Sequence, residues 1–400
     1  MKKKFPLAFG VLVCLLHVAC GGGSSSSSST PNPPSPPPTG STAPSWTLVG
    51  NTGLVQTWGI TFDNAGNMYA AANNPTTGGL ARSTDKGKTW TPLMTGIDLG
   101  AGCPSFRSLG VAPDGTVFTI NQSCPGKQHF AYWLDNVNGA GTHWTKATIV
   151  GGSGIISSGG MEIACAIAGN GSTIICPTAS TLTLLSNDNA RTWMKASTSP
   201  VGTQEQVFAV TIGNTSYETV ASANVPTVSN TWYSLDNGST WKALPTPGGL
   251  SGALDAWTGG QAGAGSNNGR FIYYQGNSGG ATGFYCWNGT PPSGSWVFCG
   301  NNQDAGQPSS YVTRMVTNRT HNRIIAVKYE DFGLKPIYSD DSSNWSDASS
   351  GLTCQSLGTA DCGSNGGPKT AYVAMDPTTG VFYISMKPGD IWATTASQDR

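Results

Sequence analysis

The chain has 400 residues, 21 of them basic and 21 acidic, so it carries no formal net charge, and only 10% of its residues are charged. Such a chain lacks the basic footprint that nucleic acid demands, which argues against a nucleic-acid partner. With 54 glycines, 13 tryptophans and few runs of helix formers, the composition predicts many short strands joined by turns.

In chain order, Lys2, Lys3 and Lys4 precede an apolar stretch, Phe5 to Val18, that is too short to span a bilayer comfortably. It ends in Leu16-His17-Val18-Ala19-Cys20. This resembles the bacterial lipoprotein signal, with His17 standing where that pattern has a small or apolar residue. The resemblance implies that residues 1–19 are a signal peptide, that Cys20 is acylated, and that the membrane is met through a lipid anchor only. Gly21, in place of the aspartate that retains such proteins at the inner membrane, implies an outer-membrane lipoprotein of the cell envelope, periplasmic or surface-exposed. Losing the three lysines leaves 18 basic against 21 acidic residues. Residues 20–44 are almost devoid of apolar side chains after the cysteine and cannot offset their ordering entropy, so they are expected to be a disordered Gly/Ser/Pro tether.

Residues 45–400 are expected to form one domain built from repeats. The motif Ser83-x-Asp85-x-Gly87-x-Thr89-Trp90 returns as Ser234-x-Asp236-x-Gly238-x-Thr240-Trp241. A third copy, Ser186-x-Asp188-x-Ala190-x-Thr192-Trp193, has alanine for glycine, and Ser339, Asp341, Ser343 and Trp345 form a shortened fourth. Asp and Ser oxygens can bond the backbone amides of their own hairpin, and glycine supplies a positive φ. The motif resembles the Asp-box, or BNR repeat, of the sialidase-like superfamily, found in sialidases, xyloglucanases, sortilin-type receptors and photosystem II assembly factors. That resemblance implies a β-propeller and a structural role for these residues, away from any active site. Adding Trp144 and Trp296, the tryptophans step by 54, 49, 48, 55 and 49 residues, a period suited to four-stranded blades. Tyr372–Asp376, Val381–Ser385 and Ile391–Ala396 read as three strands of a further blade, and Ser397-x-Asp399 opens an unfinished motif. Ser45-Trp46-Thr47-Leu48-Val49 supplies the missing half. The expected fold is therefore all-β: a single seven-bladed propeller of four-stranded antiparallel blades, closed by the N-terminal strand, which hides two sheet edges at once.

Eight cysteines remain after Cys14 and Cys20, and export makes them disulfide candidates. If Asn170-Gly171 is a two-residue hairpin turn, Cys165 and Cys176 stand directly opposite. Cys103–Cys124, Cys286–Cys299 and Cys354–Cys362 are the other expected pairs, the second replacing the missing acid network beside Trp296.

In propellers, ligands usually meet the face where the innermost strands begin. Those starts offer Gln56 and Trp58, Arg107, Glu162, Glu205 and Gln206, Asp255 and Trp257, Tyr311 and Arg314, then Lys369 and Tyr372. In a chain with so few charges they read either as one polar ligand mouth or as a mutually paired network. The candidate ligand-binding set is Trp58, Arg107, Gln206, Trp257, Tyr311, Arg314, Lys369 and Tyr372. Phe106-Arg107-Ser108-Leu109 is similar to the first-arginine motif of sialidases but lacks Ile-Pro, and no third arginine accompanies Arg107 and Arg314, so a sialidase proper is not implied. A different glycoside hydrolase needs two carboxyl groups at a set separation. Glu162, Asp255 and Glu330 are the catalytic candidates, with Glu205 and Asp331 beside them. The histidines (His17, His129, His143, His321) show no metal spacing, with His129 and His143 read as lying in irregular segments, so no metal or cofactor is expected. Two functions stand: a monomeric surface lipoprotein that binds or hydrolyses a glycan, as the resemblance implies, or a non-catalytic scaffold or assembly factor that binds an extracellular protein.

Overall fold

The computed structural model describes residues 42–54, 57–72, 79–98, 105–121, 129–135, 142–151, 165–177, 182–200, 203–212, 215–223, 231–244, 263–265, 271–275, 283–299, 311–318, 323–330, 333–341, 344–352, 371–386 and 389–395. The expected signal peptide, most of the tether, Cys20, the pairs Cys103–Cys124 and Cys354–Cys362, and Asp399 lie outside the described residues.

Short strands alternate with turns along the chain. After β1 (Trp46–Asn51) comes a first sheet of β2 (Thr57–Phe62), β3 (Met68–Ala72), β4 (Leu80–Ser83) and β5 (Thr91–Pro92). The second holds β6 (Phe106–Val111), β7 (Val117–Asn121), β8 (Ala131–Asp135) and β9 (His143–Lys146). The third combines β10 (Thr148–Ile149), β11 (Ala166–Ile167), β12 (Ile174–Pro177), β13 (Thr183–Ser186) and β14 (Thr192–Lys195). The fourth runs through β15 (Thr203–Ile212), β16 (Thr215–Ala223), β17 (Thr231–Ser234) and β18 (Lys242–Leu244). The fifth contains β19 (Gly263–Gly265), β20 (Phe271–Gln275), β21 (Gly283–Thr290) and β22 (Ser293–Phe298). The sixth has β23 (Tyr311–Asn318), β24 (Arg323–Glu330), β25 (Gly333–Ser339) and β26 (Ser346–Asp347). The last joins β27 (Ala371–Met375), β28 (Phe382–Met386) and β29 (Asp390–Thr394) to β1.

The expectation of uniformly four-stranded antiparallel sheets needs one correction. The third sheet has five strands, because β10 adds in parallel to β14 with Thr148 opposite Thr192. The segment leaving the second sheet covers an edge that would otherwise present unpaired backbone groups. His143, read as irregular, belongs to β9, and His129 is buried.

The acid-bearing hairpins owe their shape to local hydrogen bonds. Ser83 Oγ accepts from Gly87 N at 2.8 Å and donates to Asp85 Oδ1 at 2.8 Å. Asp85 then takes the Thr89 N–H at 2.9 Å and the Thr89 hydroxyl at 2.6 Å. Ser234, Asp236, Gly238 and Thr240 repeat these contacts, and Ser186 with Asp188 repeats them around Ala190 and Thr192. Ala190 sits at φ 69°, a backbone conformation that glycine adopts more readily. Each hairpin delivers a tryptophan to the packing between sheets: Trp193 and Trp241 are buried, as are Trp144, Trp296 and Trp345, and Trp90 is partly buried.

Apolar side chains from facing sheets form the cores. Phe118 meets Trp193 at 5.4 Å between the second and third sheets, Phe284 stacks on Trp345 at 3.7 Å between the fifth and sixth, and Phe62 meets Tyr383 at 5.0 Å between the last and first. Burying rings of this size supplies much of the association energy between sheets.

The N-terminal strand does complete the last sheet: β1 runs antiparallel to β29, with Trp46 opposite Thr394. Trp46 also takes the same place as Trp144. Trp144 donates its backbone N–H to Thr95 O at 2.8 Å and its indole N–H to Leu93 O at 2.9 Å. Trp46 does the same to Ser350 O at 2.9 Å and Ala348 O at 2.6 Å. The turn that follows each acceptor pair is a glycine at positive φ, Gly96 and Gly351, where a Cβ would lie 2.1 and 2.2 Å from the tryptophan carbonyl.

Two disulfides are formed among the described residues. In the β11–β12 hairpin Ala166 faces Ile175 and Ile167 faces Ile174, which brings Cys165 and Cys176 together as expected. Cys286 and Cys299 bond across the β21–β22 hairpin.

Candidate functional site

The first strand of each sheet runs towards a hairpin turn, and these turns gather. Lys86 donates to Gly66 O at 2.9 Å and pairs with Asp376 at 2.7 Å, joining the turns of the first and last sheets. Asn318 donates to Gly380 O at 3.4 Å, joining the sixth and last. Gly115 lies against the Asn64 side chain, joining the second and first. The strands themselves lie side by side in the series β11, β15, β19, β23, β27, β2, β6. Their starting residues therefore share the end opposite to these turns.

At that end the register is broken in a recurrent way. Thr57 faces Ala72 and Gly59 faces Ala71, so Trp58 is an extra residue. Phe106 faces Asn121 and Ser108 faces Ile120, so Arg107 is extra. Gln204 faces Ser222 and Val207 faces Val220, which sets Glu205 and Gln206 against a single residue. Val312 faces Lys328 and Arg314 faces Val327, so Thr313 is extra. A bulge of this kind bends its strand and re-aims side chains, and bulges concentrate at rims and beside active sites. Four of the first strands bulge at positions chosen from sequence or next to one.

Tyr311 and Arg314 occupy the start of β23, and Glu330 ends β24 at the same end, since Tyr311 faces Tyr329. Tyr372 is 1% exposed and packs with Ile60, Phe62 and Tyr383 between the last and first sheets, so its ring belongs to the core there. Glu162, Asp255, Trp257, Lys369, Gln56 and Asp331 lie outside the described residues.

Other charged groups are committed to the framework. Asp376 is fully buried, which opposes ionisation, but the Lys86 ammonium and the Thr378 and Thr379 donors outweigh this and hold its carboxyl below the ordinary range. Buried Arg323 grips Asp340 with two bonds of 2.7 and 3.0 Å. Arg191 pairs with Asp114 at 3.3 Å, linking the third sheet to the second.

Sequence reading missed Thr313 and Glu218. Thr313 carries no charge or ring to draw notice, and a bulge leaves no trace in a period-two pattern. Glu218 was legible in principle. It stands four residues after Asn214 in a strand whose partner, Ser234, opens a repeat, and the matching positions elsewhere are apolar.

No family model matches the chain, and no curated protein does. Solved structures do. The chain is similar to a GH74 enzyme from Niastella koreensis, with 15% identity and a TM-score of 0.59, over 87% of this chain and 53% of that one. The likeness shows a β-propeller of small antiparallel sheets. The extracellular domain of BT4673 from B. thetaiotaomicron is similar at 12% identity and a TM-score of 0.55, over 89% of this chain and 43% of that one. YCF48 bound to D1 peptide is similar at 9% identity and a TM-score of 0.53, over 90% of this chain and 97% of that one. The propeller chain thus spans about half of the first of these proteins and less than half of the second.

Proposed function

We propose that the sheets are seven blades of one closed propeller with Asp-box hairpins, and that the end where the innermost strands begin is a glycan-binding mouth. The bulges at Trp58, Arg107, Glu205–Gln206 and Thr313 carry this reading. Regular strands hydrogen-bond every residue in register, so four interruptions at one end, in a chain with 10% charged residues, favour a rim that serves recognition. Trp58 is suited to stacking on a sugar ring, and Arg107, Gln206, Tyr311 and Arg314 to its hydroxyl and acidic substituents. Hydrolysis would rest on a pair drawn from Glu162, Asp255 and Glu330, and the likeness to a GH74 enzyme favours it. The chain reaches this ligand from the outer membrane, held by acylated Cys20 on the tether of residues 20–44.

The test is a polysaccharide panel read for both binding and release of reducing ends. The full chain is expected to bind at least one polysaccharide, Arg107→Ala to bind it about tenfold more weakly, and Glu162→Gln or Asp255→Asn to abolish release while keeping binding. No binding across the panel overturns the glycan reading. A second reading, a protein-binding scaffold, is favoured by the near-complete coverage of peptide-bound YCF48; peptide binding that competes at Arg107, with no glycan bound, would establish it instead.

A further inference from the structure

The fourth sheet carries a carboxyl group where its counterparts carry hydrocarbon. In each acid-bearing sheet the serine that opens the hairpin faces one residue of the second strand. Ser83 faces Met68, Ser186 faces Ile174 and Ser339 faces Ile324, whereas Ser234 faces Glu218. Met68 is 0% exposed, Ile174 and Ile324 are 1% exposed, and Glu218 is also 1% exposed. An ionised carboxylate in such a place costs several kcal/mol or so unless its oxygens are well served with donors.

They are not. Oε1 accepts the Gly169 N–H at 3.0 Å, reaching across to the first hairpin of the third sheet. Among the described residues Oε2 has no hydrogen-bond partner. The nearby Ser234 hydroxyl gives its proton chiefly to Asp236 Oδ1 at 2.9 Å, while its oxygen accepts from Gly238 N at 2.9 Å and Asp236 N at 3.2 Å. The charge that acts on Glu218 is the Asp236 carboxylate, which repels a second negative charge. The facing hairpin, residues 168–173, reads Ala-Gly-Asn-Gly-Ser-Thr and brings no charge of its own. The approach is close: a Cβ on Gly169 would lie 2.1 Å from Ser216 Cβ, so the hairpin seats its bare backbone on β16.

We propose that Glu218 is a proton-controlled clamp between the third and fourth sheets, closed when its carboxyl is neutral and loosened when it ionises. Neutral, it accepts the Gly169 N–H at no charge-burial cost. Ionised, it is a buried anion with one strong donor, Gly169 N, beside another anion, and the junction relieves this by letting water in. Burial first, and the Asp236 charge, raise its carboxyl above the ordinary value of 4.5, against the Gly169 hydrogen bond and weaker ones from its own backbone N–H and Ser234. For an acid raised on folding, the stability it contributes is complete below 4.5 and is lost as pH climbs through the folded-state value. Glu218 also faces Ala209 on β15, the strand that bulges at Glu205 and Gln206. The clamp itself does not depend on what the rim binds.

Hydrogen exchange of the full chain tests it at the Gly169 amide. Between pH 4.5 and the folded-state value, the Gly169 protection factor is expected to fall about tenfold per pH unit, because opening releases one proton. Glu218→Gln keeps an acceptor for Gly169 and cannot ionise, so its protection is expected to stay flat over the same range. A wild-type protection factor independent of pH, or a Glu218→Gln profile matching the wild type, overturns the clamp. The ¹³Cδ resonance of Glu218 in the unaltered chain decides the matter even if the variant fails to fold: a midpoint above 4.5 supports the clamp, and one at or below 4.5 overturns it.

Discussion

The hairpin that ends in Trp241 and the hairpin that ends in Trp296 reach one outcome by different chemistry. The first is tied by a carboxylate and a hydroxyl: Ser234 and Asp236 serve the amides of Gly238 and Thr240 within five residues of chain. The second has no carboxylate. Gly289 faces Gly294 around Pro291 and Pro292, Trp287 meets Trp296 edge-on at 5.2 Å, and Cys286 is bonded to Cys299 across the pair. Yet Trp241 is 7% exposed and Trp296 9%. What the fold requires is a ring delivered to the space between sheets; the means of closing the turn is interchangeable.

Removing the rings should break both hairpins alike. Trp241→Ala and Trp296→Ala are each expected to cost about 3–5 kcal/mol, read from urea unfolding midpoints. A large inequality would mean that one ring is not a packing element. Next in size is the covalent tie: Cys286→Ser should cost about 2–4 kcal/mol by releasing a constraint on the unfolded chain, with no change in the fourth sheet's amide exchange. Smallest is the acid tie, where Asp236→Ala should cost about 1–2 kcal/mol, since exposed amides can turn to water. The two ties also differ in acid. The Asp85 carboxyl is lowered to about 2, first by the Thr89 hydroxyl, then by the Thr89 N–H and Ser83. An acid lowered on folding contributes its stability above the ordinary 3.8 and loses it as pH falls towards about 2. Amide protection at Thr89 should fall over that window, and protection at Thr240 should fall as pH drops below the ordinary 3.8 because, against burial, hydrogen bonds from Thr240 and Ser234 also lower the Asp236 carboxyl, while the Trp287–Trp296 hairpin keeps its protection.

Local patterns were legible in the residues because the interactions that make them are short in sequence. The Ser-x-Asp spacing and the register that sets Cys165 opposite Cys176 each follow from groups within one hairpin, although the loop at Asn170-Gly171 is four residues, 169–172, and not the expected two, since Ala168 pairs with Thr173. The pairing of β1 with β29 was legible for another reason: a motif cut short at one end of the chain and a lone Ser-Trp strand at the other complement each other. The fifth strand β10 was not, since two residues, Thr148 and Ile149, carry too little pattern to mark an edge partner.

By itself the sequence determined the element type, the repeat and the chemistry of the turns, all of which depend on backbone preferences and neighbours within reach of one hairpin. Only the tertiary structure decided that Trp58, Arg107, Glu205, Gln206 and Thr313 stand at bulges, that Tyr372 is core, and that Glu218 meets Gly169. Those outcomes depend on register between strands and on packing between sheets, and both are set by chain segments far apart in sequence whose mutual fit no local pattern encodes.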